Sequence, residues 1–405
     1  MSEEHQTTFD RLFSLLNKPV EEIEATRQRH HRESLSFTNF VKLLVYYFTQ
    51  GIGSGRLLIT DLKQNGPELK LPQVSRSTFF DAFTRFPTEW FAQLASRLLK
   101  EATWLEIPEL KSLGTLYSVD GSLFPALMEM DWATYKTGCQ AFRLHLLLDL
   151  NHMLPVHIVI GDGNSNEKTV LKELLEANIT YITDRGYVCF DLLAAIVKAK
   201  AYFVMRMKRN LSYTTLEKRP VSLPQSVTHF FCHLTDQKVT LKKAKGHTSY
   251  RLISFWIDQT QFLILTNRFD LTTFQIIMIY GYRWQIELIF RFLKRTCNGL
   301  HLLSTSEKGV TTQFYALIIT ALLQLHLKQT CILACENSEP LEQTPFDDQA
   351  IADRFASVAN GQPFLATVGD KLHRFWKIGI HWLHTLRNCL AKPFDLNVIK
   401  ALGYT

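Results

Sequence analysis

The chain is predicted to fold as a mixed α/β protein, because strand-like and helix-like patterns alternate through its central part. Five short apolar runs have the length and composition of strands. They are residues 116–120, 142–148, 154–160, 180–184 and 202–207. Helical patterns follow the third run, at 167–177, and the fourth run, at 192–200. Three strands, helix, strand, helix, strand is the order of a ribonuclease-H-like fold, which is therefore predicted for this central core.

The segments on either side of this core have different patterns. Residues 1–110 predict a helical N-terminal domain, since Phe37, Phe40, Val41 and Leu44 recur at the spacing of a core-facing helical stripe. A further helix is expected after Pro72, with Ser75 or Ser77 as its N-cap.

The predicted core consists of residues 111–207 and 265–330 and is interrupted by residues 208–264. Short strands separated by turn signals make this interruption a β-rich insertion. Residues 331–405 predict a C-terminal helical region with an aromatic stretch around Phe375, Trp376 and Trp382, for which the sequence indicates no function.

Composition limits the class of protein. With 405 residues, of which 46% are hydrophobic, the chain can bury a large core, and its net charge of +7 suits a phosphate-rich partner. The polar, acidic start and seven scattered cysteines indicate a cytoplasmic protein with reduced thiols. The longest apolar stretch, 314–327, is interrupted by polar residues. It is expected to be a buried helix, too short to span a bilayer.

One carboxylate is predicted to share a helix face with three cations. At about 100° per residue, five side chains fall within about 40° of one line. They are Tyr280, Arg283, Glu287, Arg291 and Lys294. This face suits a phosphate held beside a carboxylate-bound metal. The alternative is an ordinary surface pairing of Glu with Arg or Lys, worth only ~0.2–0.5 kcal/mol.

Two more carboxylates are predicted at strand ends. Asp120 is expected to end the first strand and Asp184 the fourth, so both would join Glu287 near one edge of the sheet. Three carboxylates can hold two Mg²⁺ ions ~3.5–4 Å apart, as phosphodiester chemistry requires. Alternatively, Asp120 lies in a simple turn and Asp184 pairs with the neighbouring Arg185.

The cations on the Glu287 face are expected to hold DNA. Arg283 and Arg291 can grip phosphate oxygens with two hydrogen bonds each, and Lys294 acts as a point charge. Tyr280 is expected to contact a sugar or a phosphate. Trp284 lies close to the same face but is expected to be a tryptophan of the core; the alternative is that it stacks on a base.

The sequence resembles the DDE transposases of bacterial insertion sequences, whose signature is Tyr-x2-Arg-x3-Glu-x6-Lys (YREK). Tyr280, Arg283, Glu287 and Lys294 match that signature at every spacing. The Asp-Gly pair at Asp120 and the Asp-Arg-Gly-Tyr run at 184–187 resemble the family's two aspartate motifs, and the Thr-Asn pair at 266–267 is also similar. The resemblance extends over roughly residues 30–330.

The resemblance implies metal-dependent cleavage at transposon ends, followed by strand transfer to target DNA in cut-and-paste transposition. Asp120, Asp184 and Glu287 would bind two Mg²⁺ ions, for which Mn²⁺ could substitute, and Trp256 would hold a base. The N-terminal domain would recognise the terminal inverted repeats of double-stranded DNA. A homodimer on DNA, associated with a prokaryotic nucleoid, is implied as well.

Two other functions stay open. A hydrolytic nuclease of the same fold would share the three acids but would need neither the YREK residues nor a domain for recognising DNA ends. A decayed transposase would act only as a DNA-binding repressor of its own element.

Overall fold

A computed structural model describes most of the chain. The described residues are 6–29, 31, 33–242, 248–257, 259–296, 300–335, 347–358 and 381–404. Phe375 and Trp376, in the predicted aromatic stretch of the C-terminal region, lie outside these residues. Trp382 is described and is buried in the core.

The N-terminal part is helical. Its helices are α1 (Thr8–Phe13), α2 (Asn17–Ala25), α3 (Phe37–Gln50), α4 (Gly55–Gln64), α5 (Arg76–Arg85) and α6 (Thr88–Glu101). The α3 helix begins at a Ser36 cap and ends at Gly51, whose positive φ of 68° suits glycine. Of the two serines proposed as the cap of α5, Ser75 is the one whose side chain accepts from a backbone N–H.

A nine-stranded sheet forms the centre. The strands are β1 (Thr115–Pro125), β2 (Ala141–Asp149), β3 (Leu154–Asp162), β4 (Ile179–Thr183), β5 (Tyr202–Arg206), β6 (Tyr213–Arg219), β7 (Cys232–Leu241), β8 (Ser249–Ile257) and β9 (Thr260–Thr266). Their order is β3-β2-β1-β4-β5-β9-β8-β7-β6. The pairs β1–β4 and β4–β5 are parallel, and the other pairs are antiparallel. The predicted mixed α/β class is confirmed.

The first strand is longer than predicted, which changes the position of Asp120. β1 continues five residues beyond it to Pro125, because β2 pairs with it antiparallel over the whole distance, with Asp120 opposite Leu146. The expectation that Asp120 ends its strand is therefore wrong. Asp184 does follow the last residue of β4.

The insertion extends the same sheet instead of forming a separate layer. β9 pairs with β5, and β8, β7 and β6 follow outward. β6 has no counterpart among the predicted strands, since its Thr, Glu, Lys and Arg side chains are largely exposed and give no apolar alternation. An ion pair of Asp236 with Arg251 is buried within β7 and β8, and Arg251 also donates to the Leu271 carbonyl just before the next helix.

The remaining helices lie between and after the strands along the chain. They are α7 (Glu167–Glu173), α8 (Phe190–Lys198), α9 (Thr273–Tyr282), α10 (Gln285–Arg291), α11 (Glu307–Cys335), α12 (Asp348–Val358) and α13 (Leu396–Tyr404), with a further helical segment at 381–389. The α7 helix is shorter than predicted, because the Tyr181 hydroxyl donates to the Leu174 carbonyl and accepts from the Glu176 N–H just beyond its end.

The α11 helix contains the long apolar stretch and is mostly buried, as predicted. At 29 residues it is longer than expected. By length and composition it is the one helix of the described chain that passes the criterion for a membrane span, but 61% of its most apolar window is buried in the protein. That burial is typical of a core helix.

Candidate active site

Asp120 and Asp184 lie at the same level on neighbouring strands. β1 and β4 are parallel, and Ser118 is the register partner of Ile182. Each aspartate is two residues further along, so the two acids are brought side by side at a strand spacing of about 4.8 Å. The negative charge of Asp184 acts on Asp120.

Burial disfavours the ionised form of Asp120. It raises the pKa of the carboxyl group from 3.8 to about 6, and the charges of Asp184 and Glu167 act in the same direction. A hydrogen bond from the Gly121 N–H, at 2.8 Å, and the positive charge of Arg283 oppose this rise. A cation bound beside Asp120 would therefore be stabilised electrostatically more than a cation bound beside an exposed carboxylate.

The segment that carries Glu287 runs beside β1. The Ser118 hydroxyl donates to the Arg283 carbonyl oxygen at 3.5 Å, and the Lys294 ammonium donates to Ser122 Oγ at 2.8 Å and to the Leu123 carbonyl oxygen at 2.6 Å. Glu287 lies in sequence between these two attachments, as Asp120 lies between Ser118 and Ser122. The contacts therefore bring the Glu287 segment alongside Asp120.

This segment is not one continuous helix, contrary to the prediction. α9 ends at Tyr282, a turn contains Arg283 and Trp284, and α10 gives way to a π-helical turn at Phe292–Thr296. A π turn winds more widely than an α-helix, so a constant angle of 100° per residue does not place Lys294. The packing with β1 brings Lys294 to the acids.

Arg283 and Glu287 form an ion pair in this structure. Arg283 Nη2 and Glu287 Oε1 are 2.6 Å apart, with 13% of the arginine and 34% of the glutamate side chain exposed. Tyr280 is only 6% exposed, and burial raises the pKa of its hydroxyl group while the charge of Arg283 lowers it. Arg291 is exposed and makes no hydrogen bond or ion pair to a described residue.

The fit of a divalent metal can be judged from these acids. No three His, Cys, Asp or Glu side chains among the described residues are close enough to hold an ion together, since Glu287 is turned to Arg283. The donor set still fits. Asp120 and Asp184 supply hard oxygen ligands side by side, and the buried Tyr187 hydroxyl, which feels both charges, has no hydrogen-bond partner in the described chain.

An ion pair that no sequence pattern indicates lies beside β1. Arg143 Nη1 donates to Glu167 Oε1, and Gly121 faces this carboxylate so closely that an added Cβ would lie 2.6 Å from it. The glycine after Asp120 is the only sequence signal that points to this close approach. The charge of Glu167 reaches both Asp120 and Tyr187.

The two tryptophans considered for base contacts, Trp284 and Trp256, lie in different parts of the structure. Trp284 is 42% exposed, so the expectation that it belongs to the core is wrong. Trp256 lies on β8, and the Arg209 guanidinium is 5.8 Å from the centre of its ring. Three strands separate β8 from β1, so the structure does not place Trp256 beside Asp120.

Comparison with known proteins adds an independent observation. Residues 111–323, slightly more than half of the chain, match the family model described as "Transposase DDE domain". The chain belongs to the DDE transposase family. The transposase function predicted from the sequence is thereby confirmed, and this transposase is expected to cut and rejoin DNA phosphodiesters as a member of that family.

Curated relatives agree with the family match. The chain is 27% identical over 252 residues to "Putative transposase y4zB" of Sinorhizobium fredii, covering 60% of this chain and 69% of the relative. It is 25% identical over 263 residues to "Probable transposase for insertion sequence element IS5377" of Geobacillus stearothermophilus (64% and 68%). It is 24% identical over 263 residues to "Putative transposase for insertion sequence element IS4SA" of Synechocystis (62% and 71%).

Proposed function

We propose that this transposase cuts DNA at the ends of its element and transfers the freed strands to target DNA, with Asp120, Asp184 and Glu287 as its metal-binding carboxylates. The observation that supports this most is the side-by-side register of the two aspartates on parallel strands, with the Glu287 segment bonded to the same β1 strand. We propose that two Mg²⁺ ions bind there and that Mn²⁺ can replace them. Bound between the acids, the ions would stabilise charge on the attacking and leaving oxygens.

Arg283 and Glu287, which form an ion pair with each other in this structure, would exchange that contact for new partners when metal and DNA bind. When Glu287 turns towards the aspartates, the Arg283 guanidinium loses its carboxylate partner. Its planar fork of N–H groups then suits the phosphate oxygens of the DNA, with two hydrogen bonds to one phosphate. Arg283 is mostly buried and held near Asp120, so it would contact a phosphate close to the scissile bond.

Two hydrogen bonds fix the position of the Lys294 ammonium group, which we propose contacts a DNA phosphate. Its ammonium group has three N–H donors, and two of them are used by Ser122 and by the Leu123 carbonyl. The third can donate to the DNA. Together with Tyr280, Arg283 and Glu287, Lys294 completes the proposed YREK signature. Arg291 is exposed, and we propose a phosphate contact further from the cut. Trp256 is proposed to hold a base of the DNA end.

The rest of the chain is assigned by the same proposal. Residues 111–207 and 265–330 form a ribonuclease-H-like core, interrupted by the insertion at 208–264. Residues 1–110 bind the terminal inverted repeats, and residues 331–405 form a C-terminal helical region. The enzyme would act in the cytoplasm on nucleoid DNA, as a homodimer that pairs two ends.

Mapping reaction products tests this proposal. The DNA that flanks the gene, joined to a host segment, is incubated with Mg²⁺ and either the parent protein or Glu287→Gln. Glu217→Gln is the matched control, since Glu217 is exposed on the outermost strand β6. The parent and the control should cut at the repeat boundary and join the ends, whereas Glu287→Gln should bind the DNA without cutting it.

Each failure has a distinct meaning. DNA binding by the parent without any cut would favour the decayed, repressor-like transposase. Cuts without joined products would favour a hydrolytic nuclease. Parent-level cutting by Glu287→Gln would show that Glu287 has no role in the chemistry.

A further inference from the structure

A groove of about 630 Å³ lies between the N-terminal helices and the sheet core. One wall consists of the first turns of α4 and α5, with Arg56 and Arg76. Another part of the lining follows the end of β1 at Pro125 and includes Leu127 and Leu300. Among the described residues that line the groove there is no carboxylate, so its charge is positive.

The cationic wall is held in shape by close packing. Gly55, at the start of α4, is so near the Phe80 ring of α5 that an added Cβ would lie 2.6 Å from it. The Arg76 guanidinium is 5.6 Å from the centre of the same ring. Arg56 and Arg76 are both exposed. A guanidinium over an aromatic ring keeps its charge and its N–H edges, so Arg76 can still bind a phosphate.

The part of the lining beside β1 has a different chemistry. Leu127 is 50% exposed and Leu300 is 42% exposed. Apolar side chains in the same groove as two arginines give it one part that suits phosphates and another that suits the flat faces of bases. Such a combination suits a single strand, because the bases of a duplex are stacked and turned inward.

The groove leads away from the proposed cutting site. Pro125 is five residues beyond Asp120 on the same strand, which at about 3.3 Å per residue is about 16 Å. Ser122 and Leu123, the partners of Lys294, lie between them. A DNA strand leaving the acids along β1 would therefore pass Lys294 before it entered the groove.

We propose that this groove binds an unpaired segment of the DNA strand next to the cut, with Arg56 and Arg76 on its phosphates and Leu127 and Leu300 against its bases. The inference rests on the proposed function and adds to it a second DNA contact surface, which unpairs or keeps unpaired the strand near the acids. The two arginines are positioning residues, because they touch the DNA away from the reacting phosphate.

Binding to two labelled probes tests the proposal. The probes are a 20-nucleotide single strand and the duplex of the same sequence, titrated in EDTA, where metal-dependent cutting does not interfere. The full-length proteins are the parent, Arg56→Gln/Arg76→Gln, the charge-retaining Arg56→Lys/Arg76→Lys, and the control Lys198→Gln/Lys400→Gln. The control loses the same two charges at exposed helix positions outside the groove.

The expected effect follows from counterion release. A slope of about −0.7 per phosphate contact on a single strand predicts that losing two contacts lowers the salt slope by about 1.4 and weakens single-strand binding about 25-fold at 0.1 M salt. Arg56→Lys/Arg76→Lys should recover most of this binding. The control should stay within about twofold of the parent, and melting curves should show that all four proteins are equally folded.

The position of the strand is tested separately by a photocrosslinker. Leu127→p-benzoylphenylalanine should crosslink to the single strand, whereas the same substitution at Leu216, exposed on β6, should not. Equal losses on the single strand and the duplex would overturn the assignment to an unpaired strand. Parent-like binding by Arg56→Gln/Arg76→Gln would overturn the groove and leave the proposed function standing. A parent that binds neither probe would overturn both.

Discussion

Replacing Asp120 by asparagine is expected to stabilise the metal-free protein while it removes a proposed metal ligand. The carboxyl group has a pKa of about 6 in the folded protein instead of 3.8. Between these values the folded state binds more protons than the unfolded state, so stability falls as the pH rises. The loss begins near the unfolded pKa and is complete above the folded one.

The size of the effect follows from the two pKa values. At pH 8 the ionised Asp120 costs about 3 kcal/mol of folding free energy, and at pH 4.5 about 1 kcal/mol. Asparagine has nearly the same shape and no charge. In EDTA, Asp120→Asn should therefore exceed the parent in free energy of unfolding by about 3 kcal/mol at pH 8, and this difference should shrink by about 2 kcal/mol at pH 4.5.

Urea unfolding at the two pH values measures this difference. Asp81→Asn, at an exposed position of α5, is the control and should change stability by less than about 0.5 kcal/mol. Added Mg²⁺ should stabilise the parent and leave Asp120→Asn unchanged, because a ligand stabilises only the state that binds it. An Asp120→Asn protein that is less stable than the parent at pH 8, or a difference independent of pH, would refute the reasoning.

Three further predictions concern other parts of the site and its support. Asp236→Asn should lower the free energy of unfolding by about 3–5 kcal/mol, since it leaves the buried Arg251 guanidinium without its anion; a loss below 1 kcal/mol in urea unfolding would contradict this. Gly121→Ala should cost up to about 1 kcal/mol, because the new methyl group displaces the end of the partly exposed Glu167 side chain and weakens its ion pair with Arg143, and an unchanged free energy of unfolding would count against that contact. Lys294→Ala should slow cutting and lower the salt slope of DNA binding by about 1; parent-like values for both would rule out its phosphate contact.

Much of the core could be predicted because its strands are apolar and short. The predicted runs at 142–148, 154–160 and 202–207 each fall within one or two residues of an observed strand boundary. The length of β1 could not be predicted, since the residues from Gly121 to Ser122 have little strand character and are held by pairing with β2. The β2 residues that pair with this part of β1 are distant in sequence, so a local sequence pattern does not reveal the pairing.

The structure brings together the acids and some of the cations that the sequence singles out for the proposed site. Spacing alone singles out Arg283, Glu287 and Lys294, although the single helix expected to align them is broken. The packing on β1 supplies the alignment instead. Glu167 was missed, because its contact with Gly121 joins the start of α7 to the middle of β1 and has no local signature.

The groove beside β1 belongs to the same class of feature. Arg56 and Arg76 lie on different helices of the N-terminal part, and Leu127 and Leu300 come from segments far apart in the chain. No periodicity connects them. Only the folded chain shows that two cations and two exposed leucines line one groove.

The most direct test of the central claim, that the carboxylates bind the metal that supports cutting, is a change of metal preference. Asp184→Cys replaces a hard oxygen ligand by a sulfur, which Mn²⁺ accepts more readily than Mg²⁺ does. We expect the variant to cut the transposon-end DNA in Mn²⁺ and to be inactive in Mg²⁺, whereas Asp191→Cys, at an exposed position of α8, should cut in both metals. Cutting by Asp184→Cys at the parent's rate in Mg²⁺ would contradict the claim.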